Sequence, residues 1–175
     1  MTQPLHTKGT HMTSTSAVAA TRGGTQLRYW SAATIFARLA LGAGFLSAVV
    51  DRFGVWGESG TGNVAWGNFD SFTAYVEDLA PYLPDLLVDS TAWAATGVEA
   101  VLGIALLLGI ALRWTAVGTL VTLLAFGGSM FFFSGFQAPL NASVFSAAAA
   151  AALLALAPDR AYILTVDRLV SKDQG

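Results

Sequence analysis

Four long apolar stretches set the pattern of this chain, at about residues 30–50, 91–112, 114–133 and 139–157. At a helical rise of about 1.5 Å per residue, roughly 20 apolar residues cross a hydrocarbon core of about 30 Å, so each stretch predicts a membrane-spanning helix. In the first, Ser31, Thr34, Arg38 and Gly42 recur at helical spacing along one side, and in the second Ala92, Thr96, Glu99 and Gly103 do the same. A stripe of polar and small residues on an otherwise apolar helix predicts that this side faces into a bundle. The third stretch is apolar throughout and ends in Phe131, Phe132 and Phe133, a run suited to the membrane interface. In the fourth, Ala142, Ser146 and Ala150, with Ser143, Ala147 and Ala151, put small residues every four positions, which permits close helix approach and would also suit packing between copies of the chain.

The intervening segment 51–90 is as long as two helices and is more than a simple loop. Phe69, Phe72, Val76, Leu79 and Leu83 fall at spacings of three and four, which predicts an amphipathic helix lying on the interface or over the bundle mouth. Residues 1–29 are rich in Thr, Ser and Gly without a packable apolar run and read as a disordered tail. Residues 161–170 alternate apolar and charged positions at roughly helical period, which reads as a short interfacial helix, and 171–175 as a tail. The expected fold is therefore an all-α membrane protein, a four-transmembrane-helix up-down bundle over 30–170 with an amphipathic helix in the external first loop.

Composition strengthens that reading. The chain has 175 residues, 54% hydrophobic and only 11% charged, against about 25% charged in an ordinary soluble domain. No charged residue lies between Arg113 and Asp159, room for two crossings joined by a tight turn. Four spans put Lys8, Arg22, Arg28, Arg113, Arg160, Arg168 and Lys172 on one side and Arg52 alone on the other, which predicts cytoplasmic termini and an external 51–90 segment. That segment carries Asp51, Glu58, Asp70, Glu77, Asp78, Asp85 and Asp89, an acidic surface that repels anions. There is no basic patch for nucleic acid. Cysteine is absent and the two histidines, His6 and His11, are in the tail, so thiol chemistry, Cys-ligated metals and a histidine-held haem within the membrane are excluded for this chain alone. Walker, dinucleotide-binding and nucleophilic-pair motifs are missing as well.

Two groups of residues remain as candidate sites. Arg38 and Glu99 each lie eight residues inside their own stretch, roughly 12 Å from opposite surfaces, which leaves a depth difference of about 6 Å that an arginine side chain bridges. They are expected to pair or to share a buried polar cavity. The pair is then either a salt bridge that fixes which helix faces meet, or a site for a polar head group or a proton. The second group maps to the outer mouth: Asp51 and Arg52 ending the first span, Trp66 and Asn68 with Asp70 in the external segment, and Gln137 and Asn141 entering the fourth. Each alone reads as a cap or interface residue, and together they predict a pocket between lid and helices.

The run Arg38-Leu-Ala-Leu-Gly-Ala-Gly-Phe, the run from Glu99 through Gly109 followed by Arg113, and Tyr162 to Asp167 (Tyr-Ile-Leu-Thr-Val-Asp) resemble the DoxX family over about residues 30–170. Residues 51–69 resemble a subgroup with an extended external loop. The resemblance implies a small four-helix protein of a prokaryotic plasma membrane, akin to the DoxD subunit of a thiosulfate:quinone oxidoreductase and to proteins of membrane-bound redox assemblies. It implies a subunit that contacts quinone or a small substrate near Arg38 and Glu99 and works with soluble redox enzymes, with no metal or covalent cofactor of its own. Two other functions fit the same residues: a small-solute or proton permease, and a non-catalytic scaffold for soluble oxidoreductases.

Overall fold

The structure, a computed structural model, describes residues 12–62 and 64–167. The described residues are helical in the order α1 (Met12–Asp51), α2 (Phe69–Leu79), α3 (Asp85–Leu108), α4 (Leu112–Phe133), α5 (Gln137–Asn141) and α6 (Val144–Leu156), with a 3-10 turn at Asp159–Ala161. Among the described residues, three helices are long and apolar enough to cross a membrane: Gly24–Asp51 of α1, α3 and α4. The chain is a membrane protein built on several apolar helices.

Four expectations shift. Helix α1 begins at Met12, so the segment 12–29 continues the helix where a disordered tail was expected. It contains no proline, and its alanines propagate a helix once the apolar part has nucleated it. Helix α3 begins at Asp85, six residues before the expected start at Thr91, directly after Pro84, whose fixed φ suits a helix entrance. The fourth stretch is interrupted: α5 ends at Asn141, Ser143 takes a left-handed φ of 56°, and α6 is a separate 13-residue helix, about 20 Å long. Finally, the chain is irregular from Tyr162 to Thr165, bending at Leu164 (φ 55°), where the interfacial helix was expected from 161 onward, and residues 166–167 are helical. Residues 1–11, the remainder of that expected helix and the 171–175 tail lie outside the described residues.

The helices pack as two antiparallel pairs, α1 with α3 and α4 with α6. Close approach in the first pair depends on glycine: a Cβ at Gly42 would sit 2.9 Å from the Leu107 side chain and 3.0 Å from the Gly103 carbonyl. Gly127 does the same between α4 and α6, where a Cβ would meet the Phe145 ring at 2.9 Å. Both predicted stripes are buried in full, Ser31, Thr34, Arg38 and Gly42 on α1 and Ala92, Thr96, Glu99 and Gly103 on α3. The main core joins the pairs through residues such as Leu41, Phe45, Leu106, Leu123 and Leu154. Helix α2 buries Phe72, Val76 and Leu79 and packs on α3 and α4, forming with Val88 and Ala92 a second small core at the end of the molecule where α1 stops.

Candidate ligand cavity

Where α1 ends, the chain reverses at Gly54, whose φ of 74° is one an L side chain rarely adopts. Asp51 is buried there, and its Oδ2 accepts hydrogen bonds from the backbone N–H groups of Ala65 (3.1 Å) and Trp66 (3.0 Å). This folds the loop back and seats Trp66 beside Arg52. Asn68 then caps α2, its Oδ1 accepting from Ser71 N–H at 2.8 Å, and the helix delivers Phe72 to the same arginine, edge-to-face with Trp66.

Arg52 is the most deeply placed of these groups, 1% exposed. Its Nη1 donates to Thr96 Oγ1 at 2.7 Å and its Nη2 to Glu99 Oε2 at 2.5 Å. Thr96 Oγ1 donates to the Ala92 carbonyl at 2.8 Å, so its hydroxyl is fixed as an acceptor toward Arg52. The guanidinium carbon lies 3.6 Å from the Phe72 ring centroid and 5.3 Å from that of Trp66, within cation–π range. A buried ion pair repays its desolvation only with further stabilising contacts, and here the Thr96 hydroxyl adds a hydrogen bond and the two rings add cation–π attraction.

Arg52 and Glu99 form part of the wall of a cavity of about 600 Å³ between α1, α2, α3, α4 and the α5–α6 junction. The rest is mostly apolar, including Val76, Leu79, Leu123, Phe126, Met130 and Val144, with Tyr75 and Asp78 contributed by α2. Burial raises the Tyr75 phenol above the usual tyrosine range; Asp78 adds to the shift and a hydrogen bond with Ser134 opposes it. The phenol therefore stays protonated and serves as a neutral hydrogen-bonding group. A volume of this size is within the range of small-molecule sites, roughly 300–1,000 Å³.

Arg38 is elsewhere. It is buried 14 residues before Arg52 on α1, level with the end of α3, where Nη2 donates to the Leu164 carbonyl at 2.7 Å and Nη1 to that of Ile163 at 3.3 Å. Thr34 Oγ1 donates to the Ala161 carbonyl at 3.1 Å, so the two side chains clasp the C-terminal segment. Gly109, left-handed at φ 70°, ends α3 beside Arg38 and leaves room for Nη1, which a Cβ there would meet at 2.7 Å. The expected Arg38–Glu99 pair is thus replaced by Arg52–Glu99.

The DoxX family model matches residues 33–126, more than half of the chain. The chain belongs to the DoxX family. No curated protein and no solved structure matches it. The DoxX match takes in both arginines, Trp66, α2 and Glu99, and it ends before α5 and α6, which complete the cavity wall of this DoxX protein.

Of the residues nominated from sequence, the fold brings together Asp51, Arg52, Trp66 and Glu99. Asn68 remains at the surface as a cap, and Gln137 and Asn141 are exposed on α5 and do not line the cavity. Their expected position at the start of a continuous fourth span is lost with the break at Ser143. The reason Arg52 and not Arg38 meets Glu99 is register. Gly42 against Gly103 aligns Arg38 with Gly109, ten residues from Glu99, or about 15 Å along the helix. Sequence reasoning did not assign Phe72, Tyr75 or Thr96 to a site, although Phe72 was legible as a buried position of α2 and Thr96 as a member of the α3 stripe.

Proposed function

We propose that this DoxX protein is the membrane subunit of a redox-associated complex in the plasma membrane and that its cavity receives a quinone or small substrate beside Arg52 and Glu99. In this reading the chain crosses the bilayer four times, with α5 and α6 together as the broken fourth crossing, α2 as the amphipathic helix over the outer mouth, and both termini in the cytoplasm. The distribution of lysine and arginine supports the orientation.

The observation that carries the proposal is the Arg52–Glu99 pair, buried in the wall of an otherwise apolar cavity of about 600 Å³. A charged pair in a membrane helix bundle is costly and marks a ligand or ion path. A quinone head fits the size and the apolar walls. When bound it would supply two-electron chemistry, and this chain would bind it, orient its oxygen toward Arg52 and exclude water behind α2. A soluble partner would supply the electron donor.

The test is purification in mild detergent, followed by solvent extraction and mass spectrometry for quinones, with proteomics of the same eluate. Quinone or a redox enzyme retained by the wild type and lost from Arg52→Ala at equal protein recovery is the expected result. Recovery of neither overturns the proposal.

A further inference from the structure

We propose that the cavity takes a neutral amphiphile supplied by the bilayer itself, an apolar tail with a hydrogen-bond-accepting carbonyl head, reaching the cavity between α2 and the α5–α6 junction. This rests on the cavity reading above but concerns charge class and route, and it holds for an ester or ketone as well as for a quinone.

Charge class follows from the groups that face the cavity. Arg52 is engaged by Glu99 and Thr96 and lies against the adjoining Phe72 and Trp66 rings, with Asp51 next to it in the chain and Asp78 on the cavity wall. One guanidinium against three carboxylates gives an anion no free cation to pair with. A cationic head fares no better, because it would sit beside Arg52, which already occupies Glu99 and the Phe72 and Trp66 rings, while Asp51 is taken up by the loop N–H groups of Ala65 and Trp66, so Asp78 alone is left to attract it. A neutral acceptor avoids both problems: Arg52 Nε is buried with no acceptor among the described residues, so the arginine has donor capacity left though its charge is matched.

The route follows from the broken fourth segment. Ala142, at the end of α5, and Val144, at the start of α6, both line the cavity, with left-handed Ser143 between them. Helix α2 packs on α3 and α4 and has no comparable packing against α5 or α6, whereas toward α1 the loop that Asp51 folds back lies against the cavity. Phe136, Leu140 and Phe145 are exposed around that break, an apolar surface that lipid covers. The cavity reaches Leu123, ten residues from the end of α4, or about 15 Å of helix, into the hydrocarbon layer.

The test uses the full chain in lipid nanodiscs with three photo-probes of one decyl tail bearing a terminal diazirine and differing only in the head: methyl ester, carboxylate and amine. At about pH 8 the acid is anionic and the amine cationic. The expected result is saturable ester labelling of residues 123–130 or of Val144, with acid and amine labelling lower by about ten-fold or more, the scale of a charge brought into the membrane. Ala142→Trp, at an exposed position, reduces ester labelling several-fold, while Leu153→Trp on the lipid-facing side of α6 does not; melting profiles confirm that both fold. Equal or stronger labelling by acid or amine overturns the neutral class, and wild-type labelling of Ala142→Trp overturns the route. Competition with a decyl benzoquinone separates the two proposals: ester labelling that the quinone fails to displace removes the quinone reading and leaves this one standing. Absence of labelling by any probe removes this one.

Discussion

Two buried arginines, one within α1 and one just past its end, are held in different ways. Arg38 spends its donors on the carbonyls of Ile163 and Leu164 and holds the C-terminal segment against the bundle. Arg52 spends its donors on a carboxylate and a hydroxyl, lies against two aromatic rings and borders a cavity. Backbone carbonyls are fixed by the fold and leave no mobile charge, so the first arrangement suits a clasp. A carboxylate and an arginine on separate elements beside an apolar volume can rearrange around a ligand, so the second suits a site. A buried charge in a membrane helix therefore does not by itself identify function; its acceptors do.

The sharpest test of this contrast is to remove each cation. Arg52→Ala leaves Glu99 buried without its partner, and unfolding in detergent should show a loss of about 3–5 kcal/mol, most of it recovered when Glu99→Gln is added. Arg38→Ala loses two charged hydrogen bonds, costs about 2–4 kcal/mol and is not repaired by Glu99→Gln. Repair of Arg38→Ala by that second change would mean the two arginines share one network and would end the comparison.

A double-mutant cycle refines it. Arg52→Met with Glu99→Gln should show a coupling of about 1–3 kcal/mol, whereas Arg38→Met with Glu99→Gln should add within about 0.5 kcal/mol, as expected for groups without a shared partner.

Backbone geometry at the clasp gives a smaller effect. Gly109→Ala puts a Cβ at φ 70° against Arg38 and Thr165 and should cost about 1–3 kcal/mol, with faster amide exchange at residues 162–165. Gly128, with nothing near an added Cβ, should accept alanine with a gain of up to about 1 kcal/mol. The smallest change is at the lid. Asn68→Ala removes the α2 cap and should cost about 1 kcal/mol, with faster exchange confined to residues 69–72; protection lost at 162–165 as well would show that the two ends are not independent.

Much of this was legible in the chain before folding. Hydrophobic period and length marked the apolar helices, and the 3.6-residue repeat of Ser31, Thr34, Arg38 and Gly42, and of Ala92, Thr96, Glu99 and Gly103, named the faces that the fold buries. These are local consequences of keeping polar groups out of lipid, and a single helix carries all the information needed. The face of α2 that buries Phe72, Val76 and Leu79 was readable for the same reason.

Partner choice was not. Whether Glu99 meets Arg38 or Arg52 depends on the sliding register of α1 against α3, which is set where Gly42 and Gly103 let two backbones touch, and on an α3 that starts at Asp85 and projects beyond the end of α1. The break at Ser143 likewise depends on how α4 and α6 pack at Gly127, and it takes Gln137 and Asn141 away from the cavity. The sequence by itself determined which residues leave the lipid. Only the tertiary structure decided which of them meet, because a register shift of a few residues changes no local preference and moves every contact by many ångströms.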